Sequence, residues 1–393
     1  MNTFSNYPWS KVLHRELHRL RRQKTLLFVT FIGPIFGFLL IMWIFSANVP
    51  RELPVAVIDH DNTPLSRQIA RLTDATSIAS VNRSFLSLED AKVAMAEGRI
   101  EAALYIPEGT EREVYRGQHA NLALYINNTN ILKGGLLNTG IRKVLGTMSA
   151  GVKLQMQMKS GLNRDQAMSR VVPVQITHHL LFNPYTSYSY YLTAGMLPVV
   201  LIVFVLLGTI YIIGDELYRG TGPQWIKLAN GNFLWALFGK LLPYTVVYCC
   251  LAVFMDLILF YYLGMPLEGK FPIILLGEFF LILAYQAIAI FLLGLSSNLR
   301  LSLSLGAVYA MLALTFSGLT FPLTGMSAFS QGFSAIFPYT YWLRILLGQS
   351  LRGEPVLSTI IPLIALFLFI VLGVLHIPRL KYMMYNEKRW GKI

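Results

Sequence analysis

Apolar and polar positions follow three successive rhythms along this chain. Trp9, Leu13, Leu17 and Leu20 recur at helical spacing, with Arg15, Arg19 and Arg22 off that stripe. This predicts an amphipathic interfacial helix within residues 1–24. An unbroken apolar run from Leu26 to Phe45 follows, long enough to cross a hydrocarbon core of about 30 Å. It is too long for the core of a signal peptide, and Phe45-Ser46-Ala47 lacks the small residue three places before a cut. Residues 25–47 are therefore read as an uncleaved span.

From residue 48 to residue 187 the rhythm becomes a short alternation. Pro54 to Asp61 reads as a buried strand ending in turn residues, and Pro64 to Leu72 as a helix opened by proline. Ser87 to Gly98 has a serine cap, acids in the first turn and a glycine stop. A strand at Ile100–Pro107, a short helix around Glu111, a strand at Ala120–Asn127 and a long helix from Ile131 to Leu162 complete an inserted α/β domain. Long apolar runs then return at Tyr191–Ile213, Phe233–Leu263, Phe271–Leu295, Leu301–Leu319 and Ile360–Ile377, within residues 188–378. Between the last two, residues 320–353 are apolar but broken by Pro322, Gly325, Gly332 and Pro338. Such backbone survives at membrane depth only where protein or a water-filled cavity covers it, which predicts a re-entrant pair of short helices. The predicted fold is an α-helical integral membrane protein of six transmembrane helices, with an α/β extracytoplasmic insert and a re-entrant outer helix pair.

Composition agrees: 54% of the 393 residues are hydrophobic and 13% charged, too apolar for an ordinary soluble protein. Of the 53 charged residues, 27 fall between Arg51 and Arg170, within the insert. The net charge of +13 carries no nucleic-acid motif with it. Outside the insert the cations concentrate in two places, six from Lys11 to Lys24 and five from Arg379 to Lys392. Six crossings put those basic segments on one side, and the positive-inside bias makes that side the cytoplasm. Residues 379–393 are then a cytoplasmic basic tail and the insert lies outside. Tyr185, Tyr188, Tyr190 and Tyr191 before the second span, with Tyr261 and Tyr262 ending the third, suit an outer aromatic belt.

Three segments carry a family resemblance: VAVIDHDNTPLSRQI with EGRIEAALYIP, GDELYRGTGPQWIKL followed by FGKLLPY, and FSGLTFPLTGM with FPYTYWLRILLG. In this order the chain resembles the permease subunit of ABC-2-type ABC exporters, in the branch with a large extracytoplasmic domain between the first two spans. Glu216, Arg219, Gly220 and Thr221 match that family's E-x-x-x-G-T loop, whereas KLANGN departs from its leucine-rich, proline-terminated end. The resemblance implies a bacterial cytoplasmic (inner) membrane protein working with a cytoplasmic ABC ATPase, a second permease copy or a sister permease, and a periplasmic membrane-fusion adaptor. It also implies drug-like or other amphipathic cargo.

The chain has no G-x-x-x-x-G-K-[ST] phosphate cradle; Gly231 to Lys240 fails on spacing and on Leu241. No cofactor is assigned to it, and ATP and Mg belong on the partner ATPase. The loop of residues 214–232, with Asp215, Glu216, Arg219, Gly220, Thr221 and Trp225, is the candidate for receiving the motor's push. The alternative is a solvated turn with Trp225 anchored at the headgroups.

Asp256 and Glu278 interrupt apolar spans, each roughly 10 Å below the outer boundary, and could face each other. They read as a transport path or proton relay, or as a packing pair that shares a proton or reaches Lys270. Gly318, Phe321, Pro322, Phe337 and Pro338 form a candidate outer gate, or simply fill the top of the bundle. His178 and His179 point to opposite faces of a strand, which disfavours one shared metal. Asp59, Asp61 and Asn62 read as a capping turn, not a calcium loop. Cys249 and Cys250, adjacent in an apolar run, imply no disulfide or metal site. Export is the leading reading. A membrane-anchored receptor whose external domain binds a ligand is the rival, and a membrane enzyme has only the two buried acids to offer.

Overall fold

The computed structural model describes residues 7–45, 50–171, 181–182 and 188–391. Tyr185, the side chain of Tyr188, His178 and His179 lie outside the described residues. The chain divides into a bundle unit, Met1–Asn48 with Leu180–Ile393, and an inserted unit, Val49–His179.

Among the described residues of the bundle, six helices are long and apolar enough to cross a membrane: span 1 Lys24–Ile44, span 2 Tyr190–Tyr218, span 3 Phe233–Tyr262, span 4 Phe271–Ser296, span 5 Leu299–Phe316 and span 6 Val356–Tyr385. Spans 2 and 4 are the centre, each 67% buried in its most apolar stretch, whereas spans 1, 5 and 6 reach only 22, 22 and 17%. Phe36, Met311, Ile361 and Leu368 on these outer spans are exposed, as lipid-facing side chains are.

Local chemistry sets the boundaries of the spans. Asn232 starts span 3 by accepting from the backbone N–H groups of Leu234 and Trp235, and Asn298 starts span 5 by accepting from that of Leu301. Ser297, in the left-handed region at φ 54°, turns span 4 into span 5 within two residues. Span 6 continues beyond residue 376 as a further helical segment, Ile377–Tyr385, with Leu380, Met383 and Met384 buried. Much of the basic tail is thus folded chain.

The segment between spans 5 and 6 is the broken element expected, with short helices at Ala328–Ser334 and Pro338–Leu347. Two tyrosines tie it to span 2: the Tyr191 hydroxyl donates to the Leu319 carbonyl, and that of Tyr339 to the Gly195 carbonyl at 2.5 Å. Gly269 N–H and Lys270 N–H, between spans 3 and 4, donate to the backbone and side-chain oxygens of Gln349. Two loops at this far end of the bundle are thereby joined.

The inserted unit holds a four-stranded sheet in the order β2-β1-β3-β4, with β1 Leu53–Asp59, β2 Ala79–Asn82, β3 Ala102–Ile106 and β4 Ala123–Ile126. β1 runs parallel to β2 and β3, and β4 is antiparallel to β3. Leu53, Val55 and Val57 point to the face shared with Ala102, Leu104 and Ile106, which is covered by helices Pro64–Asp74 and Ile131–Lys159. Ala56 and Ala103 on the other face meet Ala91 and Ala94 of helix Leu88–Ala96, small against small. The acids after β1 cap backbone as expected: Asp59 accepts from the N–H groups of Asp61 and Asn62, and Asp61 from those of Gly109 and Glu111. β2 was not anticipated, because four residues with only Ala79 and Val81 apolar give too short an alternation.

Candidate functional site

At one end of the bundle the N-terminal helix Pro8–Arg22, the end of span 2, the turn after it and the start of span 3 converge on a cluster of charges. Lys240, two turns into span 3, places Nζ 2.8 Å from Glu16 Oε1 and 2.8 Å from Glu216 Oε1. All three side chains are 0% exposed. Arg15 reaches Glu216 at 2.9 Å and Arg19 reaches it at 2.7 Å, while Arg19 also pairs with Asp215. Asp215 receives Arg219 Nε at 2.8 Å, Glu216 accepts from the Thr221 hydroxyl, and Glu16 accepts from the Tyr244 hydroxyl at 3.3 Å.

Four cations and three carboxylates thus neutralise one another almost completely. A lone buried charge would be far too costly, whereas hydrogen-bonded opposite partners offset the desolvation. Burial alone would lower the pKa of Arg19, but Glu16, Glu216 and Asp215 outweigh it and hold the pKa above its ordinary value.

The cluster depends on a close approach of helices. A Cβ on Gly239 would lie 2.5 Å from the Trp9 carbonyl oxygen, so only glycine lets the N-terminal helix lie against span 3. The face that helix buries is Val12, Glu16 and Leu20, and not the whole apolar stripe expected to meet lipid. Leu13 and Leu17 instead line an apolar groove with Leu242 and Pro243 of span 3.

The expected loop is compact: span 2 runs through Tyr218, a turn follows, and residues Gly222–Leu228 form a short helix. Trp225 is not presented to solvent or headgroups, which corrects the expectation that it docks a partner or anchors in the interface. It is fully buried, with Nε1 donating to the Ala236 carbonyl at 3.1 Å, Phe233 edge-on, and Lys240 Nζ 5.1 Å from the ring centre. The outward residues of this helix are Gln224, Lys227 and Leu228. Gly220, at φ 67°, makes the turn, and the Trp390 ring lies where its side chain would be. The Gly391 N–H donates to the Tyr218 carbonyl at 3.1 Å.

The family described as ABC-2 family transporter protein matches residues 24–376. The chain belongs to this family. No curated protein and no solved structure matches it. As an ABC-2 protein it is the multi-pass membrane permease of an ABC transporter, distinct from the ATPase, and a separate ABC ATPase is its partner. Its spans are therefore a permease and more than an anchor for a receptor domain.

In this ABC-2 permease Asp256 and Glu278 are brought together, both 2% exposed and interacting electrostatically. No donor from elsewhere in the described residues reaches their four carboxyl oxygens, Lys270 pairs with neither acid among those residues, and the only hydrogen bond open to them there is the one between the two carboxyls, which needs a proton on one of them. Span 3 relaxes into a π-helical turn, Leu257–Tyr262, directly after Asp256.

The outer-gate residues separate into two groups. Phe337 is fully buried, with Tyr309 at 5.0 Å and Phe333 at 5.3 Å between ring centres, and Pro338 opens the helix behind it. Phe321 is 54% exposed and lies against Gly325, and Pro322 precedes a single turn of 3-10 helix. Gly318, at φ 90°, turns the chain over Leu323.

Sequence reasoning missed Arg15, Glu16, Arg19, Lys240 and Tyr244 as members of one cluster. A signal was present in Lys240, a lone cation two turns into an apolar run, and in Glu16, an acid in a basic helix.

Proposed function

We propose that this permease exports a small amphipathic compound, such as a drug or toxic metabolite, across the bacterial inner membrane, driven by an ATPase that binds the ATP and Mg. The charged end faces the cytoplasm and the inserted domain is extracytoplasmic. Two permease copies, or this chain and a sister, form the path, and a periplasmic adaptor receives the cargo. The observation that carries this reading is the buried cluster around Glu216 and Lys240. It welds four elements into one lever, so a push on any of them moves spans 2 and 3 together.

The ATPase docks on the outward face of helix Gly222–Leu228, through Gln224, Lys227 and Leu228, while the buried side of that helix transmits the force. Asp256 and Glu278 lie on the transport path, where unpaired carboxyls suit a polar or cationic part of the cargo. The aromatic set around Phe337 forms the outer gate, with Gly318 and Pro322 allowing the chain to bend beside it.

The test is reconstitution of the permease with its ATPase in vesicles. Glu216→Ala, at normal protein level, is expected to keep ATPase association and to lower ATP-driven export at least tenfold. Lys227→Glu with Leu228→Ser is expected to lower association itself. Unchanged export in Glu216→Ala would remove the cluster from coupling.

A further inference from the structure

A cleft of about 650 Å³ lies within the inserted unit and plays no part in the reading above. Helix Ile131–Lys159, 29 residues and so roughly 44 Å long, exceeds the span of a seven-residue strand, roughly 23 Å. Its first half, through Leu137 and Ile141, seals the sheet. Its second half carries the same stripe onward through Met148 and Val152, facing helices Pro64–Asp74 and Thr110–Tyr115 across the cleft. The floor is apolar: Leu65, Ile69, Val114, Leu122, Met148 and Val152. Met148, unbranched and flexible, gives such a floor an adaptable shape.

Charge at the cleft has one sign. Lys153 and Arg170 line it, both exposed, and no aspartate or glutamate does. Neither cation has an ion-pair partner among the described residues, whereas Lys92, Arg99 and Lys133 elsewhere in the unit do. Gln118, His119, Ser149 and Gln157 add polar groups at the rim. The volume falls within the range that holds small molecules, roughly 300–1,000 Å³, and the lining combines an apolar body with a few polar groups to orient a ligand.

We propose that this cleft binds a single-chain amphipathic anion, its apolar chain on the Met148–Val152 floor and its carboxylate-like head between Lys153 and Arg170. An anion gains from two cations that have no ion-pair partner among the described residues, and each methylene on the floor adds roughly fourfold in affinity. Uncharged or cationic amphiphiles of the same length gain the second term without the first. The inference needs no transport or ATPase to be true, so it stands or falls separately from the export reading.

The experiment uses the full chain in lipid nanodiscs and a dodecanoate carrying a photoreactive diazirine, with cross-linked peptides mapped by mass spectrometry and empty nanodiscs as background. Cross-links are expected on residues 148–156 and 65–69, competed at least tenfold better by dodecanoate than by dodecanol or dodecylamine. Lys153→Glu with Arg170→Glu, both at exposed positions, is expected to weaken the dodecanoate at least tenfold and to favour dodecylamine. Met148→Trp, which fills the floor, should reduce labelling by the probe whichever head group the competitor carries. Equal competition by dodecanol, labelling confined to the spans, or indifference to the charge reversal would overturn the proposal. So would a copurifying polypeptide found cross-linked in the cleft in place of the probe.

Discussion

Two groups of buried charged residues sit in the same apolar bundle and are built in opposite ways. At the charged end, Lys240, Glu16 and Glu216 are fully enclosed and each is held by opposite charges within 3 Å. On spans 3 and 4, Asp256 and Glu278 are almost as enclosed, yet they have only each other and form no ion pair with a cation among the described residues. A paired cluster resists change, because every partner removed strands another charge. Two acids without a counter-charge have no ion pairs to lose, which leaves them free to take a proton or a ligand.

Lys240→Met tests this contrast most severely. It removes the fully buried cation that holds Glu16 and Glu216 together, leaving them to Arg15 and Arg19 alone, and is expected to cost about 3–5 kcal/mol, read as a large fall in melting temperature in nanodiscs and in membrane level. Gly239→Ala should cost about 1–3 kcal/mol by driving a methyl into the Trp9 carbonyl, without touching a charge. If the two losses prove equal, the cluster is worth no more than the packing around it. Asp256→Asn combined with Glu278→Gln is expected to stay within about 1 kcal/mol of the parent in stability while reducing export. A loss as large as that of Lys240→Met would end the contrast. The smallest effect is expected of Tyr339→Phe, about 0.6 kcal/mol, the mean for an interhelical hydrogen bond in a membrane.

The spans were legible in the sequence because a bilayer demands long apolar runs, and the observed boundaries differ from the expected ones mostly by a few residues at helix ends. The break between spans 5 and 6 was legible through Pro322, Gly325 and Pro338, whose backbone chemistry is local. The charged cluster was only half visible. Asp215, Glu216 and Arg219 stood in one segment, but Glu16 and Lys240 are 224 residues apart and nothing local joins them. Trp225 shows the same limit: its position in a charged loop suggested display, whereas its indole N–H found a carbonyl eleven residues on and drew the ring inside. β2 escaped because its strand character comes from pairing with β1, as much as from its own four residues.

The clamp on the Gly220 turn bears on how the protein is made. Trp390 lies about 170 residues after Gly220, and Lys240 follows Glu16 by 224. During synthesis the N-terminal helix and span 2 therefore emerge with acids and arginines that still lack part of their final company. Spans 3 to 6 must insert before the ring of Trp390 reaches its seat. A nascent permease stalled before span 3 carries a half-neutralised Glu16, and one stalled before Trp390 an uncovered turn, features by which a cell's quality control can tell an unfinished molecule from a finished one.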